Sequence, residues 1–459
     1  MFKTGASPTW RSELAATLRL AVPLALAGIL QMAIHAIDVI FLARLGAEEL
    51  AAASLAIAIF GTLTWALSGL TGTVAALISA ELGRRKHAVR EVRRSTRMGL
   101  WLALACSIFG MAICLFGERF MLWAGQDPEI SDMAGRYLAI LIWAMPTMIA
   151  ANVLRMFVSA LGRPIFATII TAIGIVVNGI GNYALIFGNL GMPALGLEGA
   201  AIATVIGSTA MFLAYVLAIE LDRNLRRYYL WGRIWRFEWE RFAEIFRIGL
   251  PVAVTIIAEA AFFSGAAFLM GLFGPNELAG HTLALNLAAF AFQVPFAIGQ
   301  AATIRVGFHY GAKNLPAIGL AGWAAIACGA GFMLTTATAM LFAPLVLLSI
   351  YVDVGAASNS ALVGLALQYL VIAAAFQLFD GIQAVGMGAL RGLQDTRVPM
   401  AYALFGYWVP GLGACLWLGF RTPLEGTGVW IGLAIGLIVV AGLMLWRWSR
   451  RERLGLLPV

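Results

Sequence analysis

Twelve apolar runs follow one another along this chain, each long enough to cross a bilayer as a helix, with short polar breaks between them. The hydrocarbon core is spanned by about 20 consecutive apolar residues, and these runs meet or exceed that length. They lie at 14–44, 50–81, 96–117, 131–160, 165–189 and 197–220, then at 245–273, 279–306, 317–343, 359–390, 396–418 and 426–447. None alternates every second residue, as a transmembrane β-strand would over about ten positions. Only 12% of the 459 residues are charged, against about 25% in soluble domains. That excludes a cytosolic enzyme, a disordered hub and a nucleic-acid binder, and leaves an integral membrane protein.

The four cysteines, Cys106, Cys114, Cys328 and Cys415, all sit inside apolar runs with no CxxC pair among them. Neither a disulfide framework nor a zinc site is expected. The first run is too long for the core of a cleavable signal peptide, so none is expected.

Orientation follows from the arginines and lysines. The stretch GRRKHAVREVRRSTR carries seven basic residues between Arg84 and Arg97. Arg223, Arg226, Arg227, Arg233, Arg236 and Arg241 crowd the connection after the sixth run, and the last run is followed by RRERL. Lys3, Arg11 and Arg19 fall on the same side under a twelve-span topology. Of 31 Lys and Arg, only Arg44, Arg119, Arg136 and Arg421 fall near the other face. Both termini are therefore expected in the cytoplasm, and the net charge of +8 is a topology signal.

Sliding the chain against itself reveals a repeat at an offset of 228. RLAVPLALAGILQ (19–31) lies over RIGLPVAVTIIAE (247–259), Pro23 over Pro251 and Gln31 over Glu259. The expected fold class is all-α: twelve transmembrane helices in two pseudo-symmetric six-helix bundles. The lobes expected are 1–220 and 245–459, joined by a cytoplasmic loop at 221–244. Six is even, so both halves face the same way, and substrate is expected between such halves near the midplane.

Three acidic residues lie well within apolar runs: Asp38, Glu259 and Asp380. A carboxylate there costs roughly 2.5–3.5 kcal/mol on insertion scales, so it is a functional candidate by default. Polar residues accompany each at helical spacing. Gln31, His35 and Asp38 step by four and three; Thr255 precedes Glu259 by one turn; Gln377, Asp380 and Gln383 step by three. Asn286, Gln293 and Gln300 recur every seven residues on the eighth run, Asn178 and Asn182 share a face of the fifth, and Thr204 lies on the sixth. Lipid cannot satisfy such stripes, and a lining of amides and carboxylates suits a cation pathway. The alternative for each amide is interhelical adhesion worth about 0.6 kcal/mol. His35 is placed either to relay protons to Asp38 or to sit neutral against a neighbour. Arg155 is expected to snorkel toward the cytoplasmic end of its span. His87 and His309, at loop ends, are expected to be solvated. Pro23 and Pro251 remove a backbone donor at equivalent places, which allows a static kink or a hinge.

These residues resemble a known family. Q31MAIHAID38 followed by LARLG, LPVAVTIIAEAAFFSG around Glu259, AATIRVGFHYGA (301–312), FDGIQAVGMGALRGLQDT ending at Thr396 and VNGIGNYALIFG (177–188) are similar to the multidrug and toxic compound extrusion (MATE) transporters, and most to their NorM-like branch. The resemblance implies a MATE/MOP-type fold and an antiporter, not an enzyme, that exports organic and often cationic compounds in exchange for H+ or Na+. It implies cation coupling at Asp38 in one lobe and at Glu259 and Asp380 in the other, the latter pair being where Na+ would sit. Gln31, His35, Asn178, Asn182, Thr204, Thr255, Asn286, Gln293 and Gln377 would line the substrate and cation path. No cofactor beyond the coupling ion is expected. Asn182 stands where some members carry aspartate, and His35 where a small residue is usual. The expected setting is the bacterial inner membrane, as a monomer in contact with lipid. Two other readings stay open: a lipid-linked saccharide flippase of the same superfamily, which would need basic residues in its core, and an intramembrane enzyme built on His35 and Asp38.

Overall fold

A computed structural model describes residues 9–84 and 88–458 of the chain; Lys3 and His87 lie outside the described residues. Among the described residues, eleven helices are long and apolar enough to cross a membrane, and one bent pair makes a twelfth span. They are α1 (Trp10–Ala43), α2 (Ala47–Arg84), α3 (Ala88–Leu115), α4 (Pro128–Leu141 and Ala144–Ala160), α5 (Ile165–Phe187), α6 (Gly196–Leu221), α7 (Trp239–Phe273), α8 (Pro275–Gly311), α9 (Leu315–Phe342), α10 (Ala357–Gly392), α11 (Arg397–Phe420) and α12 (Glu425–Ser449). The repeat survives at this level. α1 shifted by 228 falls on 238–271, against the observed Trp239–Phe273, and α2 on 275–312, against Pro275–Gly311.

The breaks have local causes. The two segments of α4 meet at 48° just before Pro146, which offers no N–H to the carbonyl four residues back. In α11 the helix widens to a π turn over Tyr407–Gly411, around Pro410, the rare form that accommodates one residue too many. α3 starts eight residues before the apolar run at 96, because its first turns are polar and charge-paired. Arg94 bonds Glu91 at 2.9 Å, and Arg241 reaches Glu91 at 2.8 Å.

The chain divides into two compact units, one of Leu26–Ala253 and one of Met1–Ala25 with Val254–Val459. These are not the lobes expected at 1–220 and 245–459, because the division passes through the interiors of α1 and α7. It follows Ala25 and Ala253, positions again 228 apart, two residues beyond Pro23 and Pro251. The physical reason lies in what the first segments of these helices touch. In α1, Glu13 is buried against Arg305 and His309 of α8. In α7, Gly249 lies so close to the backbone of Leu70 that a Cβ would collide with it.

In the Leu26–Ala253 unit, α5 packs along α6, and the second segment of α4 packs on α6 and α3. The connection before α7 is held to α3 by basic side chains that bind its carbonyls: Arg93 to Tyr228 at 2.6 Å and Arg97 to Leu230 at 2.7 Å. These residues mark topology by sequence, and they also fasten the connection. In the other unit α10 is the hub, packed on α8, α9 and α12. It approaches α8 closely through small residues: Ala384 O lies 2.9 Å from where a Gly299 Cβ would stand. Thr303 of α8 donates to the Gly388 carbonyl of α10 at 2.8 Å.

Two basic residues depart from expectation. His309 is 7% exposed and bonded to Glu13 at 2.9 Å, since the helix runs on to Gly311 and carries the ring inward. Arg155 is turned inward as well, its Nη2 donating to Asn152 Oδ1 at 2.6 Å. Cys106, Cys114 and Cys415 are buried and Cys328 partly so, all as free thiols.

Candidate carboxylate sites

The intramembrane carboxylates expected from the sequence fall in two polar clusters, one in each unit, each assembled from residues far apart in sequence. In the Leu26–Ala253 unit the cluster is Asp38, Asn178 and Asn182. Asp38 lies five residues before the end of α1 at Ala43, about 7.5 Å along the axis. It is 6% exposed, and Asn178 and Asn182 are 2% and 0% exposed. Asn182 Nδ2 donates to Asp38 Oδ1 at 2.6 Å and to Asn178 Oδ1 at 3.2 Å. The i, i+4 spacing on α5 places both amides on one face, and Asn182 serves as the link. Its own Oδ1 is buried without a hydrogen-bond partner, an acceptor left open beside the carboxylate.

The other residues expected on this path differ in their exposure. Gln31 is half-buried and His35 exposed, although His35 lies only three residues from Asp38. Thr204 is half-buried, with its hydroxyl turned back to the Ala200 carbonyl of its own helix at 3.1 Å.

In the other unit Glu259 of α7 and Asp380 of α10 come together through a single amide. Gln383 Nε2 donates to Glu259 Oε1 at 3.0 Å and to Asp380 Oδ1 at 3.4 Å. The amide is oriented from behind: Tyr407 donates its hydroxyl to Gln383 Oε1 at 2.7 Å. Tyr407 is fully buried and stacks on Phe262, centroids 5.3 Å apart and planes 18° apart. The π turn at Tyr407–Gly411 supplies this placement. Glu259 is 14 residues before Phe273, about 21 Å from that end of its helix. This pair therefore lies deep in its span, while Asp38 lies near the end of its own.

Thr255 is buried one turn before Glu259. Gln377 is fully buried but bonds Thr336 of α9 at 2.8 Å. Asn286 is exposed, and Gln293 and Gln300 are half-buried, so the seven-residue stripe on α8 does not present one uniform buried face.

Sequence reasoning missed Tyr407, because an aromatic flanked by Gly406 and Trp408 reads as ordinary core. The available signal was Pro410 within an apolar run, which marks an irregular turn. It also missed the triad of Glu13, Arg305 and His309. Glu13 was placed just outside the first run and His309 just outside the eighth.

Both clusters use hard oxygen donors and amides, and among the described residues no group of three or more His, Cys, Asp or Glu is arranged to hold a metal. What these clusters can do is exchange a single cation, a proton or a small metal ion, at a carboxylate that water does not freely reach.

The family model MatE matches residues 23–184 and 251–416, two segments that begin at the paired prolines. The chain is 43% identical over 446 residues to a probable multidrug resistance protein NorM of Mesorhizobium japonicum, covering 97% of this chain and 95% of that one. It is 41% identical over 441 residues to the protein of the same description in Brucella suis, covering 96% and 94%. The multidrug resistance protein NorM of Burkholderia vietnamiensis is 37% identical over 447 residues, covering 97% and 96%. Among solved structures, the eukaryotic MATE transporter AtDTX14 superposes with a TM-score of 0.85 at 19% identity, covering 98% of this chain and all of that one. An outward-facing multidrug resistance MATE transporter of the MOP superfamily gives 0.84 at 22% identity, covering 97% of each chain. Those likenesses show the fold, and the family match over both halves together with the full-length relatives shows the lineage: the chain belongs to the MatE family, in its NorM-like branch.

Proposed function

We propose that this multi-pass membrane protein exports organic, often cationic, compounds across the bacterial inner membrane in exchange for H+ or Na+. Both termini lie in the cytoplasm, and a single copy works alone. The observation that carries the reading is the pair Glu259 and Asp380, held by one amide donor deep in helices that cross the membrane. Two carboxylates sharing one neutral donor repel each other when both are ionised, so together they attract one positive charge. A proton or a sodium ion supplies it from the side where that ion is abundant, and a cationic drug competes for the same electrostatic field.

Coupling then follows from mutual exclusion. Ion binding weakens drug binding and drug binding weakens ion binding, by the same factor. One charge moving through 100 mV contributes about 2.3 kcal/mol, and a tenfold ion gradient about 1.4 kcal/mol. Their sum sustains a gradient of a few hundredfold for a neutral compound at roughly 1.4 kcal/mol per tenfold. A monovalent cation exchanged one for one moves no net charge, and its gradient is limited to about that of the ion, roughly tenfold. Asp38 is a second ion-responsive group, with Asn182 stabilising its charged form through a charge-assisted hydrogen bond. The flippase reading is not favoured by the relatives, which carry drug-resistance descriptions.

The test is the movement of a fluorescent cationic dye in proteoliposomes under an imposed pH gradient, then under a sodium gradient. One gradient is expected to drive export in the native protein. The triple variant Asp38→Asn, Glu259→Gln, Asp380→Asn is expected to lose gradient-driven export while remaining folded. Retained driven export in that variant removes the carboxylates from the mechanism.

A further inference from the structure

Away from both carboxylate clusters, an open groove of about 590 Å³ lies where α1 begins, α9 begins and α12 ends. One wall is a single stripe of α9: Pro316, Gly319, Leu320, Trp323, Ile326 and Ala327. These positions recur at three and four residues, so they share one helical face about 16 Å long. Trp10 and Arg451 complete the lining. Trp10 and Trp323 are 44% and 37% exposed, as indole rings are where they sit at the level of lipid headgroups.

Arg451 is held in this groove by several contacts. Its guanidinium lies 5.0 Å from the Trp448 ring centroid, and Nη1 donates to the Trp448 carbonyl at 2.9 Å. Trp448 is itself fully buried, seated against Gly322 of α9, where a Cβ would collide with its ring. Gly319 leaves room for Nη2 in the same way. The Nε of Arg451 is buried with no hydrogen-bond partner. Glu452, the acidic residue whose field acts on it, is an exposed chain neighbour, and Glu13 is occupied by Arg305 and His309. The groove thus joins an apolar trough as long as much of an acyl chain to a fixed, half-buried guanidinium, at the membrane edge that carries most of the basic residues. A guanidinium fork matches phosphate oxygens, and an aliphatic chain matches the stripe below it.

We propose that this groove binds one phospholipid with a net negative headgroup, its phosphate on Arg451 and one acyl chain along Leu320, Trp323 and Ile326. The site is distinct from the transport clusters, and its binding is measurable without transport.

The experiment is native mass spectrometry of the full-length protein from detergent micelles doped with equal phosphatidylglycerol and phosphatidylcholine. The native protein is expected to retain one phosphatidylglycerol, with about a tenfold preference over phosphatidylcholine. Arg451→Gln should abolish that preference, whereas Arg450→Gln, which removes the same charge from above the Trp446 ring, should leave it intact. Leu320→Trp, which fills the trough and spares the charge, should lower retention of both lipids at this position and serves if Arg451→Gln is unstable. Equal losses in the two arginine variants would reduce the effect to general surface charge and overturn the proposal. So would equal retention of the two lipids by the native protein, or an unchanged adduct in Leu320→Trp. Displacement of the adduct by soluble glycerol phosphate alone would show that the acyl trough plays no part, and would overturn it as well.

Discussion

Arg305 of α8 and Glu13 of α1 form a buried two-pronged ion pair, with Nη2 and Nε at 2.5 and 3.1 Å from the two carboxylate oxygens. His309 adds a third contact to the same carboxylate at 2.9 Å, and Glu13 is only 2% exposed. The pair joins residues 292 positions apart, within the unit that takes Met1–Ala25 together with Val254–Val459.

Removing Glu13 takes from the buried Arg305 the carboxylate that bonds it at two points. Breaking a buried pair in this way costs about 3–5 kcal/mol. Glu13→Ala is therefore expected to lower the thermal unfolding temperature in detergent sharply. The double variant Glu13→Ala, Arg305→Leu should lose less than the sum of the single changes, because the buried cation is gone as well. Additive losses would mean that the two side chains do not depend on each other.

Asn182 and Asp38 make the analogous test in the other unit. A hydrogen bond to a charged group contributes about 1.5–3 kcal/mol, so Asn182→Ala should destabilise the protein by an amount in that range and slow dye export. In an Asp38→Asn background the same substitution should cost far less, since the charged acceptor is absent. A double-mutant cycle by thermal unfolding decides it. A coupling energy near zero would dissociate the two residues.

Tyr407→Phe removes one hydroxyl and keeps the ring stacked on Phe262. The net loss in stability is expected to be about 0.5–1.5 kcal/mol. The effect on export should be larger than that figure suggests, because Gln383 then loses the donor that aims its amide at Glu259 and Asp380. Dye export in proteoliposomes is expected to fall severalfold with protein levels unchanged, and Gln383→Ala to fall at least as far. Native export in Tyr407→Phe would leave the amide's orientation without functional weight.

The spans and the repeat were legible in the sequence because both rest on long-range hydrophobic patterning, which survives uncertainty at any single residue. Asp38, Glu259 and Asp380 were legible because a carboxylate in an apolar run has no cheap explanation. The triad of Glu13, Arg305 and His309 was not. A scan for apolar runs stops at the first charges, and it cannot tell a solvated run-end from helical turns that continue and pair inside the protein. The same blindness concealed the division of α1 and α7, since the first turns of a helix belong to whichever neighbours they touch. Helical spacing places Gln377 and Asn286 on polar stripes but does not name their neighbours: Gln377 bonds Thr336, and Asn286 is exposed.

Glycine in this protein is not one kind of residue, and two positions separate its roles. Gly388 of α10 faces the Gly299 carbonyl of α8 so closely that a Cβ would run into backbone, and Thr303 bonds across the same crossing. Backbone cannot rotate aside as a long side chain can, so Gly388→Ala must push α8 and α10 apart. Overpacking of this kind costs typically about 1–3 kcal/mol, and here it falls on the helix that packs against three others. Gly61, inside α2, has nothing within 4 Å of its would-be Cβ. There alanine only restricts the unfolded chain, and Gly61→Ala should gain roughly 0.5–1 kcal/mol. Thermal unfolding of the two variants in one detergent is expected to move in opposite directions. If Gly388→Ala unfolds at or above the native temperature, the α8–α10 crossing is looser than its geometry states, and close glycine packing is not what holds that unit together.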